Sequence, residues 1–227
     1  MSGTALTFTV HADGLSEEKT FTLTGAVIAG WTGRDKAALE KHIRELEELG
    51  VTRPASTPIY YRVAAARLTT SDRIECSGPH SSGEVEFMLL ESDGRLYLGI
   101  GSDHTDRKVE TYNITVSKQM CDKPVARDLW LLDDVLPHWD RLVLRAHAVI
   151  DGARVLYQEG SVAAMLPPDE VLALYGAPLK DAAMFCGTLA AHGGIRPAER
   201  FEFEIEDPVL GRAIRHGYDV AVLPVVG

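Results

Sequence analysis

Apolar and polar positions alternate with a period of two through much of the chain, and three stretches switch to a helical period. Leu6, Phe8 and Val10, then Phe21, Leu23, Val27 and Ile28, flank a Gly/Ser/Glu turn at 14–18, which predicts a hairpin or two short strands over 5–10 and 20–29. Residues 35–49 place Leu39, Ile43, Leu46 and Leu49 on one stripe, with Asp35 as N-cap and Gly50 after the last turn, which predicts a helix. Pro54 and Pro58 then mark a loop, and a boundary is expected there: residues 1–54 as an appendage of strands and a lid helix, and residues 55–227 as a β-rich catalytic body.

Beyond that loop, residues 83–90, 95–101, 112–116, 141–149, 153–158, 201–206 and 218–225 carry β-branched or aromatic residues between turn signals and read as strands. Two further helices are expected, over 127–137 and 168–175. Strands outnumber helices and do not alternate regularly with them, so the expected class is mainly β with few helices (α+β), not a doubly wound sheet.

Of 227 residues, 23 are basic and 33 acidic, a formal charge of −10. That balance weighs against nucleic-acid binding and against docking on an anionic membrane, and it suits carboxylates that collect a divalent cation. No stretch is long and apolar enough to read as a membrane span, and the opening MSGTALTFTV does not read as a signal peptide. Cys76, Cys121 and Cys186 stand at unrelated spacings, which fits buried thiols in a reducing, cytoplasmic setting. Trp31, Trp130 and Trp139 read as packing anchors, and the six histidines other than His42 and His11 as structural or solvated.

The chemistry concentrates in residues 83–107. On a strand, Glu84 and Glu86 share one face with Met88 and Leu90, while Val85, Phe87 and Leu89 take the other, so burial on both sides is expected. Two carboxylates pointing one way from a buried strand repel and lose hydration, costs that a bound cation offsets. Asp93–Gly94 is the dipeptide of a two-residue type I′ turn. That turn places Asp103 opposite Glu84, with Cβ atoms about 5 Å apart. Three oxygens could then serve one hard cation and leave positions for water and substrate, as Mg²⁺ typically keeps. A solvated strand pair is the competing reading, and a one-residue slip would send Asp103 to the other face.

These residues resemble the fumarylacetoacetate hydrolase superfamily, whose members carry an acidic E-x-E strand followed by an Asp and a short pattern ending in Arg. Here they are Glu84–Val85–Glu86 and Asp103–His104–Thr105–Asp106–Arg107. The stretches at 60–78, 115–124 and 184–207 follow in family order, and His42–Ile43–Arg44–Glu45–Leu46 resembles the H-x-x-E-L of a lid helix, so the likeness spans most of residues 25–225. Leu189 replaces the proline of the family's G-T-P, glycines shift to Gly193–Gly194, and Asp106–Arg107–Lys108 departs from A-R-D.

The resemblance implies a mixed β-sandwich roll and a homodimer. It implies Glu84, Glu86 and Asp103 as ligands of Mg²⁺ or Mn²⁺, Lys118 near the developing enolate, and His42 with Glu45 as the pair that activates water. Arg107 would hold a substrate carboxylate or brace the metal ligands, and Gly187 and Thr188 would contact substrate. Each has a plainer alternative: a solvated helix face for His42 and Glu45, a surface lysine, a surface ion pair for Arg107, a simple turn at Gly187–Thr188. The function implied is metal-dependent hydrolysis of a C–C bond in a small β-diketo or acylpyruvate-type acid. A 2-oxo acid decarboxylase, isomerase or hydratase is the close variant, and a non-catalytic binding module the distant one.

Overall fold

The computed structural model describes residues 3–12, 14–48 and 53–226, without the side chains of His42, Glu45 and Leu46. Most strands belong to two sheets. The larger contains β1 (Thr4–Ala12), β2 (Leu15–Leu23), β3 (Gly25–Gly30) and β4 (Ile59–Val63). The smaller begins with β5 (Arg73–Ser77). Then come β6 (Val85–Ser92), β7 (Arg95–Ser102) and β8 (Asp128–Leu131) of the larger sheet. The smaller continues with β9 (Val143–Ile150) and β10 (Ala153–Ser161), β11 (Ala182–Thr188) rejoins the larger, and β12 (Arg200–Asp207) and β13 (Arg212–Leu223) complete the smaller.

The eight-stranded order is β2-β1-β8-β7-β6-β11-β3-β4, and the five-stranded order is β10-β9-β12-β13-β5. Pairing is antiparallel except for β1 with β8, β11 with β3 and β13 with β5. Val85, Phe87 and Leu89 of β6 face the core between the sheets, together with Leu144, Phe201, Ile205 and Tyr218 of the smaller sheet. Met88 and Leu90, on the opposite face of β6, enter a second core with Phe8, Phe21, Ile28 and Phe185. The double-sided burial expected of β6 is thus what the fold supplies, and it leaves no solvated face for Glu86.

The strands before residue 54 are not an appendage. They are built into the larger sheet, with β3 between β11 and β4. Helix α1 (Lys36–Glu48) starts as expected: the Asp35 carboxylate accepts from the Ala37 and Ala38 amides at 2.9 and 3.0 Å. Leu49 and Gly50, expected at its end, lie outside the described residues.

Residues 112–116 are not a strand. Asn113 Oδ1 accepts from the Val116 amide at 3.0 Å and caps α2 (Ile114–Met120), so a local cap overrides the β propensity of Ile114, Thr115 and Val116. The helix expected over 127–137 is β8 followed by short helical turns, Leu132–Val135 and Leu136–Arg141. The third expectation matches: α3 (Pro168–Tyr175) ends on Gly176 at φ 70°. No described helix is long and apolar enough to cross a membrane. The three cysteines are buried and free.

Candidate metal centre

The site grows from the β6–β7 hairpin. Asp93 and Gly94 take φ 53° and 74°, as a type I′ turn requires, and pairing runs unbroken from Ser92↔Arg95 to Val85↔Ser102. Just past the ladder, the Asp103 amide donates to the Glu84 carbonyl at 3.0 Å. Asp103 therefore stands across from Glu84, and carboxylate oxygens of Glu84, Glu86 and Asp103 lie within 4.8 Å of one another.

Strand β11 closes the other side of β6. The pairing slips by one residue between Phe185↔Met88 and Thr188↔Glu86, a bulge that aims the Gly187 amide at Glu86 Oε2, 2.6 Å away. Gly187 holds φ 103°, and a Cβ there would fall 1.8 Å from Thr32 Oγ1, so only glycine fits. Thr188 Oγ1 donates to the Val85 carbonyl at 2.8 Å and accepts from Gln158 Nε2 at 2.7 Å. Its hydroxyl ties the strands together, while the residue itself lines the cavity.

Two lysines flank Asp103. Lys118, on α2, pairs with Asp103 Oδ2. Lys123 Nζ lies 3.2 Å from Asp103 Oδ1 and donates to the His104 carbonyl at 2.5 Å. Lys123 is wholly buried and was not among the expected site residues. By itself a Lys–Pro pair reads as surface loop, and burial comes from the pairing of Lys123–Pro124 with Leu68–Thr69. His104 is buried too, bound to Ser81 Oγ and Tyr218 OH, each at 2.8 Å, as a structural histidine.

Arg107 braces rather than binds from the cavity wall. Its Nη2 sits 3.2 Å from Glu84 Oε1, its Nη1 donates to Glu110 at 3.0 Å and its Nε to Ser82 Oγ at 2.7 Å. His42 and Glu45 fall on α1, but their side chains lie outside the described residues. Leu39, one turn earlier on α1, lines the cavity beside the trio.

The electrostatics divide the trio. Burial, reinforced by the Asp103 and Glu84 charges, pushes the Glu86 carboxyl well above the usual range. Burial also works against the Asp103 charge, but Lys118 and Lys123 outweigh it and bring that carboxyl down to about 2. Lys118 gains from its partners: burial opposes its charge, yet Asp103 and Glu84 hold it above the ordinary lysine value. Burial pulls Lys123 the other way, below that value.

The donor set fits a hard divalent cation. All three ligands are carboxylate oxygens, two of the residues are buried, and the buried Asp103 Oδ1 makes no aligned hydrogen bond. A cavity of about 480 Å³ opens beside them, with Glu84, Glu86, Lys118, Gln158, Gly187 and Thr188 in its wall.

A family model described as "Protein of unknown function (DUF2848)" matches residues 29–218. The chain belongs to that family. No curated protein matches this DUF2848 chain. Solved structures of the same fold do. A protein provisionally described as a fumarylacetoacetate isomerase/hydrolase from Oleispira antarctica aligns with a TM-score of 0.63 at 16% identity, over 94% of this chain and 99% of its own.

Cg1458 with inhibitor aligns at 0.64 and 16%, over 93% of this chain and 84% of its own. The 2-keto-3-deoxy-D-arabinonate dehydratase complexed with magnesium and 2,5-dioxopentanoate aligns at 0.59 and 12%, over 93% and 78%. At these identities the likeness is one of fold. The DUF2848 chain has the fumarylacetoacetate hydrolase type of α+β fold, as the resemblance implied.

Proposed function

We propose that this chain is a divalent-metal-dependent enzyme acting on a small 2-oxo acid, and that its reaction is hydrolysis of a C–C bond in a β-diketo or acylpyruvate-type acid. The observation that carries the reading is the meeting of Glu84, Glu86 and Asp103 within 4.8 Å, beside a cavity whose wall holds Glu84, Glu86 and Lys118. The same fold in a magnesium-bound dehydratase supports it.

Glu84, Glu86 and Asp103 would hold Mg²⁺ or Mn²⁺. When bound, that ion supplies Lewis-acid stabilisation of the negative charge developing on a 2-oxo acid. The chain's own residues supply the rest. Lys118 places a fixed positive charge beside the reacting acid, and Asp103 keeps the ammonium oriented. Gly187 and Thr188 lock β11 against β6 and so keep Glu86 in place. Arg107 holds Glu84 from behind, the bracing role that was one of the two expected of it.

His42 is the proposed base, with Glu45 three residues on as the partner that the resemblance implies. It takes a proton from water, whose oxygen adds to the carbonyl distant from the 2-oxo acid. The C–C bond between that carbon and the methylene breaks. The methylene carbon takes a proton, giving pyruvate and a carboxylic acid.

A second reading uses the same centre without hydrolytic attack on a carbonyl, as a decarboxylase, isomerase or hydratase, and the dehydratase of this fold favours it. Acylpyruvates incubated with the protein and Mg²⁺ decide between them. Hydrolysis predicts equimolar pyruvate and carboxylic acid, lost in His42→Ala. Full turnover by His42→Ala moves the assignment to the second reading, and no turnover of any acylpyruvate refutes hydrolysis. A non-catalytic binding module is favoured if the protein takes up neither Mg²⁺ nor Mn²⁺ and turns over no acylpyruvate. A homodimer and a cytoplasmic location complete the proposal; light scattering tests the first.

A further inference from the structure

We propose that the cavity beside the carboxylate trio selects 2-oxo acids whose distal end is uncharged and apolar, and rejects dicarboxylic acids of the same shape. The inference rests on the reading above that the site takes a 2-oxo acid, and it names which kind.

Among the described residues in the cavity wall, the charged ones are Glu84, Glu86, Glu110 and Lys118. Three of the four are acidic, and the lysine is already paired with Asp103. None of the nearby arginines is part of that wall. Arg107 is bound by Glu84, Glu110 and Ser82 and does not line the cavity. Arg34 makes a bidentate pair with Asp140, at 3.0 and 2.8 Å. Arg196, next to Ile195, lies over the Tyr157 ring 5.9 Å from its centre and donates to the His192 carbonyl at 2.9 Å.

The remaining wall is mostly neutral and apolar. Leu39, Ile114, Leu189, Ala190, Ala191 and Ile195 contribute to it. Ile195 is 54% exposed, apolar surface that a bound alkyl group would cover. Leu189 lines the wall directly after Thr188, which pairs with Glu86 of the trio. A second carboxylate in this space would lose hydration and find no unpaired cation in the described wall. An alkyl tail would lose nothing and bury apolar area.

The test compares two isosteres on the Mg²⁺-loaded protein at neutral pH by calorimetric titration. 2-Oxoglutarate carries a distal carboxylate, and 5-methyl-2-oxohexanoate replaces it with an isopropyl group. Neither has a second carbonyl to attack, so binding is read without turnover. Oxalate, which has no tail, is titrated alongside. The expected result is binding of oxalate and an affinity for 5-methyl-2-oxohexanoate roughly tenfold or more above that for 2-oxoglutarate. Ile195→Arg, at an exposed position, is expected to narrow or reverse the preference by supplying the missing cation.

If oxalate binds but 2-oxoglutarate equals or exceeds its isostere, the selectivity is overturned while the 2-oxo acid reading stands. If Ile195→Arg leaves the ratio unchanged, the wall does not set it and the proposal fails. If oxalate does not bind, the underlying reading fails and takes this one with it.

Discussion

Two strands of this molecule carry the same Glu-x-Glu spacing and end in opposite electrostatic states. On β12, Glu202 and Glu204 point away from the core, and strands β9, β10 and β13 and β12 itself bring arginines to them. Arg154 reaches Glu202 at 2.8 Å, Arg200 at 3.0 Å, Arg215 reaches Glu204 at 2.6 Å, and Arg145 pairs with Glu204 as well. Arg154 holds Glu202 below the usual carboxylate range, and for Glu204 the arginines Arg145 and Arg215 outweigh partial burial.

Glu86 on β6 faces Gly101 and Thr188 across its ladders, and its own charge is disfavoured by burial and by Asp103. The difference teaches that the motif carries no chemistry by itself. What matters is whether the facing strands bring arginines and water, or glycines and a second carboxylate.

The comparison can be strained from the site side first. Gly187→Ala forces a side chain into φ 103° and against Thr32 Oγ1, and should cost about 2–4 kcal/mol in urea unfolding. A loss under about 0.5 kcal/mol would mean that the bulge relaxes freely and does not fix Glu86.

Asp207 sharpens the contrast, because it lies on the same strand as Glu202 but on the buried face. His138 Nε2 sits 2.9 Å from its Oδ1, and the Val209 and Leu210 amides donate to the same oxygen at 3.0 and 3.1 Å. Burial works against its charge, but these partners hold the carboxyl below its ordinary value. A depressed value stabilises the fold above the unfolded pKa of about 3.9 and loses that contribution as pH falls through the folded value. Asp207→Asn should therefore cost about 1–2 kcal/mol near neutrality and progressively less below about pH 4. A penalty that stays constant with acidification would show that Asp207 acts by shape alone.

The smallest effect is expected on the ladder. Glu202→Gln should change stability by about 0.5 kcal/mol or less, and the change should shrink in high salt. A larger, salt-insensitive loss would mean that the two Glu-x-Glu strands are less different than their burial indicates.

Legibility in the sequence followed how local the determinants are. Asp93–Gly94 announces its turn, the turn sets the register, and the register brings Asp103 opposite Glu84, so three site residues could be read before any coordinates. The double-sided burial of β6 was equally visible, because Val85, Phe87, Met88, Leu89 and Leu90 leave no polar face.

Lys123 was not visible, since only a distant pairing with Leu68–Thr69 buries it. The bulge at Gly187 was hidden for the same reason: it depends on how β11 meets β6, which no local pattern specifies. The integration of β1–β3 into the larger sheet also rests on long-range pairing, with β8 and β11. The cap at Asn113 was local and legible, and the β-branched run after it masked it.

The proposal at stake is that Glu84, Glu86 and Asp103 hold one divalent cation while Glu202 and Glu204 hold none. Calorimetric titration with Mn²⁺ of the unmodified protein, Glu86→Gln and Glu202→Gln measures it directly. The account predicts one site in the unmodified protein and in Glu202→Gln, with affinity reduced on the order of 100-fold in Glu86→Gln. No uptake by the unmodified protein, or equal affinity in Glu86→Gln, would contradict it.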